Sequence, residues 1–237
     1  MRLRLRYSKL GKVRFVSHRD SGRLWERAMR KVALPVAYTR GFTPRPKLAF
    51  GLALPTGAES VAEYIDVDLA DAVELDPSDP QHAVSLSAAL PEGMDIQVVA
   101  ERPSGGSSLQ EAVSATTWQL SGPGIDHTTI GDAVDRLLAA DQIIVERERK
   151  GRRHVDDVRP IILHLGIDTT GTRLVAELAN HGRALRPAEL VSAAFPGIDA
   201  LGVHVLRTHQ WIDCDGERRE VLPLPADAVA PDGGRGA

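Results

Sequence analysis

Two short segments alternate polar and apolar residues strictly, and this period limits what the chain can fold into. Residues 2–8 read RLRLRYS, and residues 63–69 read EYIDVDL. Side chains two positions apart share one face of a β-strand, so each segment predicts a strand with one apolar face and one charged face. The first strand is expected to bury its leucines and to expose Arg2, Arg4 and Arg6 on a wet, cationic face.

Segments with helical spacing lie between the predicted strands. Residues 17–35 place apolar side chains three and four positions apart, with Ser17 in the position of an N-cap and Pro35 at the end. The other predicted elements of this half are extended segments at 12–16, 48–54 and 95–100 and a helix at 82–90. The resulting order β–α–β–β–α–β is the ferredoxin-like arrangement.

The same order recurs after the Gly- and Ser-rich segment 103–108. The sequence therefore predicts an α+β protein built from two tandem ferredoxin-like (βαββαβ-type) halves with antiparallel sheets. The predicted organisation is a basic domain at 1–101, a linker at 102–115, a second, decorated domain at 116–213 and a disordered tail at 214–237.

Several classes of protein are excluded by what the sequence lacks. No apolar run reaches the about 18 residues of a membrane-spanning helix, and the N-terminus has no apolar signal core. The single cysteine, Cys214, cannot form an internal disulfide or a Cys-type zinc site. Metalloprotease, P-loop and dinucleotide-binding motifs are absent. The sequence predicts a cytoplasmic protein with no membrane partner, no metal and no cofactor.

The charge of the chain is distributed very unevenly. The first 50 residues contain 14 Lys and Arg but only two acids, Asp20 and Glu26, which gives a net charge of +12. Since the whole chain carries −3, the remainder carries −15. A basic region of this kind predicts a polyanionic partner. The alternative is internal, in which the acidic part of the chain neutralises the basic part.

The first candidate site is a cationic surface with interleaved aromatic rings. Such a surface suits single-stranded RNA, because bases stack on rings while Lys and Arg hold phosphates. The alternative is that Tyr38 and Phe42 are core residues that anchor a Pro-stiffened, ordered loop at 38–46. Each ring alone favours that simpler interpretation, whereas the basic set as a whole favours binding. The candidate residues are Arg2, Arg4, Arg6, Arg19, Arg23, Arg27, Arg30, Tyr38, Arg40, Phe42, Arg45 and Lys47.

His18 is a second candidate. An imidazole at this position could act as a general base towards a ribose 2′-hydroxyl without any metal. The simpler interpretation places His18 in the first turn of a helix, with Ser17 and Asp20 as its capping residues.

A third candidate is the charged stretch RRHVDDVRP at 152–160. Arg152, Arg153 and Arg159 could belong to a hairpin that holds an anionic ligand. The stretch is equally compatible with a solvated loop, as most charged runs are.

The segment SHRDSGRLWERAMRKVALPVAYTRGFTPRPKLAFGLALPTGAESVAEYIDVDL, residues 17–69, resembles the bacterial radical-SAM-associated domain family of unknown function. The similarity covers residues 1–100 well and continues more loosely through RRHVDDVRP and RALRP (183–187). In many members this domain follows a radical-SAM module, whose cluster needs three closely spaced cysteines. A chain with one cysteine is not itself a radical-SAM enzyme, and the resemblance implies the stand-alone form.

Three functions from different classes follow from these features. The first is an RNA-binding module for structured RNA such as tRNA or rRNA. The second, implied by the resemblance, is an accessory subunit that docks onto a separate radical-SAM enzyme. The third is a metal-independent endoribonuclease that uses His18. The sequence does not decide whether the protein is an enzyme.

Overall fold

The computed structural model describes residues 1–71, 75–102, 105, 107–149 and 151–225. Within these residues the chain is α+β, with five α-helices and with strands that pair mostly antiparallel. None of the helices in the described part of the chain has the length and apolar character needed to cross a bilayer.

The chain divides into two compact units. The first comprises Met1–Val113 together with the segment that begins at Ile212, and the second is Ser114–Trp211. The elements of the first unit up to the boundary are β1 (Arg2–Lys9), α1 (His18–Lys31), β2 (Leu48–Phe50), β3 (Glu59–Asp68), α2 (Pro80–Ala89), β4 (Ile96–Glu101) and α3 (Leu109–Ala112).

The sheet of the first unit has the order β4-β1-β3, with β2 on the other side of β3. Every one of these pairings is antiparallel. Leu3 and Leu5 of β1 are buried with Trp25 and Met29 of α1 in the main apolar core. The ring of Trp25 meets that of Tyr7 edge-on, with centroids 4.9 Å apart. The alternation of β1 and the helical spacing of α1 therefore meet in one core, as the sequence predicted.

Helix α1 begins and ends for local reasons. The Ser17 hydroxyl accepts a hydrogen bond from the Asp20 amide at 3.2 Å, which satisfies one of the free N–H groups of the first turn. Ser17 and Asp20 are thus the caps, and His18 is the first helical residue. After Lys31 the chain turns at Ala33, whose φ is 54°, and Pro35 follows within two residues. Proline cannot continue a helix, because it lacks the N–H that each further turn requires.

The charged face of β1 was expected to be wet; Arg2 is exposed, but the prediction is wrong for Arg4 and Arg6. Arg6 is only 2% exposed and Arg4 is half-buried, because the segment 109–113 and the segment 220–222 cover this side of the sheet. Each guanidinium meets a carboxylate: Arg2 pairs with Asp68 at 3.0 Å, Arg4 with Asp66 at 2.7 Å and Arg6 with Glu220 at 2.6 Å.

The second unit starts with β5 (Val113–Ser121) and α4 (His127–Ala139). A separate two-stranded hairpin follows, formed by β6 (Ile144–Arg149) and β7 (Arg152–Asp157). The remaining elements are β8 (Ile162–Ile167), β9 (Leu174–Ala179), α5 (Pro187–Ala194) and β10 (His204–Cys214). Its sheet has the order β10-β5-β9-β8. Ile130 of α4 and Leu190 of α5 are fully buried.

Two local predictions differ from the structure. Residues 12–16 were expected to be extended, but Gly11–Phe15 form a 3₁₀ helix held by Glu59, which accepts from the Gly11 amide at 2.6 Å. The tail predicted at 214–237 contains a strand, β11 (Glu217–Glu220), because Asp215 and Gly216 adopt positive φ and turn the chain back onto β10. Val221 beyond it is buried. Residues 226–237 of that tail and residues 103, 104 and 106 of the predicted linker lie outside the described residues.

Candidate nucleic-acid interface

Helix α1 presents a row of arginines on its outer side. Arg19, Arg23 and Arg27 are four residues apart and Arg30 follows three later, so all four lie on one face of the helix. All four are exposed. At 1.5 Å per residue the row is about 16 Å long. Among the described residues Arg23 is the one arginine of this row with an ion pair, to Asp20 at 3.0 Å, and both side chains of that pair are more than half exposed.

The Gly- and Pro-rich segment after α1 is an ordered hairpin, and we call residues 37–47 the RGFTP hairpin. Its two arms are joined by backbone hydrogen bonds from Lys47 to Ala37 and from Thr39 to Arg45, both 2.8 Å long. Gly41 at the tip has a φ of 140°, which a residue with a Cβ rarely adopts. Backbone bonds between the hairpin and Asp68 fix its base to the end of β3.

The aromatic side chains of the RGFTP hairpin lie outside the core. Phe42 at the tip is completely exposed and Tyr38 is 49% exposed. The alternative in which these two rings anchor the loop in the core is therefore wrong. The sequence contained the signal, because a ring between Gly41 and Thr43 has few apolar neighbours, but only the structure gives the direction of the hairpin.

Seven cations of α1 and the hairpin have no acidic partner among the described residues. No carboxylate occurs between Glu26 and Glu59, so the hairpin has none of its own. Glu26 stands four residues before Arg30 in α1, but the ion pairs of the described residues do not include these two side chains. The acids of β3 that could have reached them are engaged elsewhere: Asp66 accepts from Arg4 and Arg102, and Asp68 pairs with Arg2. These cations are all exposed; they are Arg19, Arg27, Arg30, Lys31, Arg40, Arg45 and Lys47.

Internal neutralisation therefore accounts for one part of the basic region and not for the other. The arginines of β1 neutralise the acids of β3 and β11 and form part of the sheet. The cations of α1 and the RGFTP hairpin lie in solvent, where a cluster of positive charges attracts anions. The sequence could not make this division, since both sets are rich in arginine.

A second exposed aromatic lies just before α1, and the sequence analysis missed it. Phe15 is 62% exposed, and the guanidinium of Arg14 lies over its ring, 4.8 Å from the centroid. Arg14 is in turn held by Glu59, the first residue of β3, at 3.1 Å. Phe15 was overlooked because the segment was interpreted as a strand, whose apolar residues would point into the core.

His18 is exposed at the start of α1. Its ring contacts Phe50 of β2 edge-on, with centroids 5.2 Å apart. The capping geometry of Ser17 and Asp20 explains the residues on either side of His18. In the described part of the chain no other titratable side chain hydrogen-bonds to this imidazole, so the geometry offers no second catalytic group.

The third candidate region folds as the β6–β7 hairpin. Arg152 and Arg153 are exposed, and Arg153 pairs with Glu146 across the two strands. An open groove of about 460 Å³ lies beside them, lined by Glu146, Arg147, Glu148, Gly151 and Arg153. Because both signs of charge line the groove, it has no clear preference for an anion.

The base of the same hairpin is held by structural contacts. Asp157 accepts hydrogen bonds from the amides of Ile143 and Arg159, both at 2.9 Å, and these bonds lower the pKa of its carboxyl group. The Arg159 guanidinium donates to the carbonyls of Ile162 and Leu138. Arg159 is thus engaged in fixing the hairpin to its unit.

Metal ligation finds no support in the described residues, where no three His, Cys, Asp or Glu side chains are grouped as ligands would be.

Comparison with known families gives one result. The model of a family described as an uncharacterized protein conserved in bacteria (DUF2344) matches residues 2–187, which includes α1, the RGFTP hairpin and the β6–β7 hairpin.

The chain belongs to this family. No curated protein matches the sequence. Family membership agrees with the resemblance found in the sequence, whereas the link of the family to radical-SAM proteins is a further expectation. The match spans both compact units, so this DUF2344 protein is not a basic unit with an unrelated extension.

Proposed function

We propose that this DUF2344 protein binds RNA through the outer face of α1 and the RGFTP hairpin. One observation carries the proposal: seven exposed cations on these two elements have no carboxylate partner in the described chain. Exposed Lys and Arg side chains at such density attract a phosphate backbone and release its counterions on binding. The exposed rings of Tyr38 and Phe42 add stacking surfaces for bases beside these cations.

The arginines of β1 are left out of the proposed surface. Arg4 and Arg6 are engaged with carboxylates within the unit, so contact with a phosphate would first require those ion pairs to open. Arg153 and Arg159 are also left out, because Arg153 pairs with Glu146 and Arg159 donates to backbone carbonyls. Arg152 is left out because it belongs to the second unit. The surface is therefore smaller than the sequence predicted, and it is confined to exposed, unneutralised cations.

We also propose that each unit is a ferredoxin-like half. Support comes from the order β4-β1-β3 with β2 on the far side of β3 in the first unit, and from the corresponding order β10-β5-β9-β8 in the second. In this interpretation the β6–β7 hairpin is an insertion between α4 and β8. Ferredoxin-like halves carry many functions, so the RNA proposal depends on the surface and not on the fold.

The experiment is a binding titration with fluorescently labelled RNA, followed by anisotropy. Wild-type protein and the variant Arg40→Ala/Arg45→Ala are titrated at about 50 mM salt against a single-stranded RNA and a tRNA. Both side chains are exposed and have no ion-pair partner among the described residues, so the variant should fold normally, which circular dichroism checks. We expect the variant to bind at least tenfold more weakly, since two phosphate contacts are lost.

The matched control is Arg218→Ala/Arg219→Ala, which removes two exposed arginines from β11. It changes the net charge by the same amount but lies outside the proposed surface. The proposal fails if wild-type protein does not bind RNA, or if the control loses as much affinity as Arg40→Ala/Arg45→Ala. In either case a radical-SAM protein partner, which the resemblance predicts, becomes the first alternative for this face.

A further inference from the structure

We infer that the RNA recognised by this surface is single-stranded and spans at most about nine nucleotides, from Phe15 at one end to Phe42 at the other. This inference rests on the proposed function and adds to it the strand state and length of the ligand. It depends on two exposed rings that the fold anchors to opposite ends of one strand, β3, and on the cationic helix between them.

The two rings are fixed by contacts at the two ends of β3. Phe15 is held through Arg14, whose side chain bonds to Glu59, the first residue of the strand. The RGFTP hairpin, which carries Phe42, is held through backbone bonds to Asp68, the last residue. Nine steps along a strand at about 3.3 Å each separate these anchors by about 30 Å.

Helix α1 lies between Phe15 and Phe42 in the sequence. It begins three residues after Phe15, beside Phe50 of β2, and ends before Pro35, whose carbonyl accepts a hydrogen bond from Ala70 just beyond β3. Its row of exposed arginines thus starts near one ring and ends near the base of the RGFTP hairpin. A phosphate backbone that follows this row and continues past both of its ends reaches both rings. At the duplex rise of about 3.4 Å per nucleotide a 30 Å path takes about nine nucleotides, and this is an upper limit because an unstacked strand is more extended.

The exposed rings favour unpaired bases. In a duplex the faces of the bases are stacked on one another and cannot contact a protein ring, whereas every unpaired base offers a face. Phe42 is completely exposed at a hairpin tip, and Phe15 already has an arginine over its other side, as in base-stacking sites built from cations and rings. A surface for duplex RNA would need cations alone, so the two exposed phenylalanines indicate single strands.

The test is a length series of labelled oligouridine RNAs of 4, 6, 9, 12 and 15 nucleotides at constant salt. The proteins are wild type, Phe15→Ala, Phe42→Ala and the double variant, with Leu201→Ala as the control for loss of an exposed apolar side chain, since Leu201 is 94% exposed in the second unit. A 12-base-pair RNA duplex is the comparison ligand. All replaced side chains are exposed, so these variants should fold normally.

We expect wild-type affinity to rise with length between 4 and 9 nucleotides and then to level off. Each phenylalanine variant should bind the 12-mer roughly 5- to 100-fold more weakly, the range for loss of one base stack. On the 4-mer, which reaches only one ring at a time, each single variant should lose at most about twofold and the double variant most of its binding. Leu201→Ala should behave as wild type, and the duplex should bind more weakly than the 12-mer.

Two kinds of result are distinguishable. If wild-type protein binds RNA but affinity is independent of length beyond four nucleotides, or is unchanged in Phe15→Ala and Phe42→Ala, this inference is overturned and the proposed function stands. If wild-type protein binds none of the RNAs at any length, the proposed function fails and this inference fails with it.

Discussion

The ion pair between Arg6 and Glu220 gives the sharpest prediction about the stability of the first unit. The two side chains are 2% and 12% exposed, and the guanidinium lies 2.6 Å from the carboxylate. Arg6 also donates to the carbonyls of Val61 and Leu222 and to the side chain of Gln97, at 2.9–3.2 Å. One guanidinium thus connects β1, β4 and the segment after β11, although their residues lie up to 216 positions apart in the sequence.

The perturbation is Arg6→Met, which keeps an unbranched side chain in place of the aliphatic part of arginine and removes the guanidinium with its charge. Glu220 is then left as a nearly buried carboxylate without its partner, and three acceptors lose their donor. Removing one partner of a buried ion pair costs about 3–5 kcal/mol. Since whole domains are stable by only about 5–15 kcal/mol, this loss should be large. By contrast, Arg23→Ala removes half of an exposed pair and should cost at most about 1 kcal/mol.

The assay is urea unfolding followed by circular dichroism and by tryptophan fluorescence. The double variant Arg6→Met/Glu220→Met removes both charges, so it should regain much of the stability that Arg6→Met loses. Arg6→Met at a permissive temperature should still bind RNA, because Arg6 lies outside the proposed surface. The reasoning is refuted if Arg6→Met costs less than about 1 kcal/mol, or if the double variant loses as much as the two single variants together.

Three further predictions concern local structure and pH. Gly93 has a φ of 89°, and a Cβ there would lie 2.2 Å from the carbonyl oxygen of Leu10, so Gly93→Ala should destabilise by more than about 1 kcal/mol in urea unfolding; wild-type stability would contradict this. Hydrogen bonds from Thr129 lower the pKa of Asp126, the N-cap of α4. Stability therefore falls as the pH drops below about 4, the pKa of this carboxyl group in the unfolded chain, and Asp126→Asn should flatten that fall in acid titrations. Burial raises the pKa of Tyr64 far above its ordinary value. Stability should therefore fall above about pH 10, where this hydroxyl ionises in the unfolded chain, and Tyr64→Phe should reduce that loss. The same dependence of stability on pH in wild type and Tyr64→Phe would contradict the burial argument.

Local patterns predicted most of the elements because each depends on neighbouring residues. The alternation in β1 and β3 and the spacing of α1 are properties of a few consecutive side chains, and the structure places these elements close to the predicted ranges. The ordered loop after α1 followed from its glycine and prolines in the same way. The direction in which this hairpin points did not follow from local residues, because it depends on backbone hydrogen bonds to Asp68, 21 residues after Lys47.

The exposed face of β1 could not be predicted because coverage depends on distant segments. A period of two shows that Arg2, Arg4 and Arg6 share a face, but not whether another part of the chain covers it. The register that sets Arg4 opposite Asp66 and Arg2 opposite Asp68 becomes visible only once the strands are paired. The same limitation hid Phe15, whose exposure depends on the contact of Arg14 with Glu59.

The salt dependence of RNA binding tests the central claim most directly, because its slope counts phosphate contacts. The dissociation constant for a single-stranded 12-mer should be measured between about 50 and 200 mM salt for wild type and for Arg40→Ala/Arg45→Ala. For single strands the slope of log K against log salt is about −0.7 per contact, so the variant should be shallower by about 1.4. An identical slope in wild type and variant, or RNA binding that does not respond to salt, would contradict a cationic surface on α1 and the RGFTP hairpin.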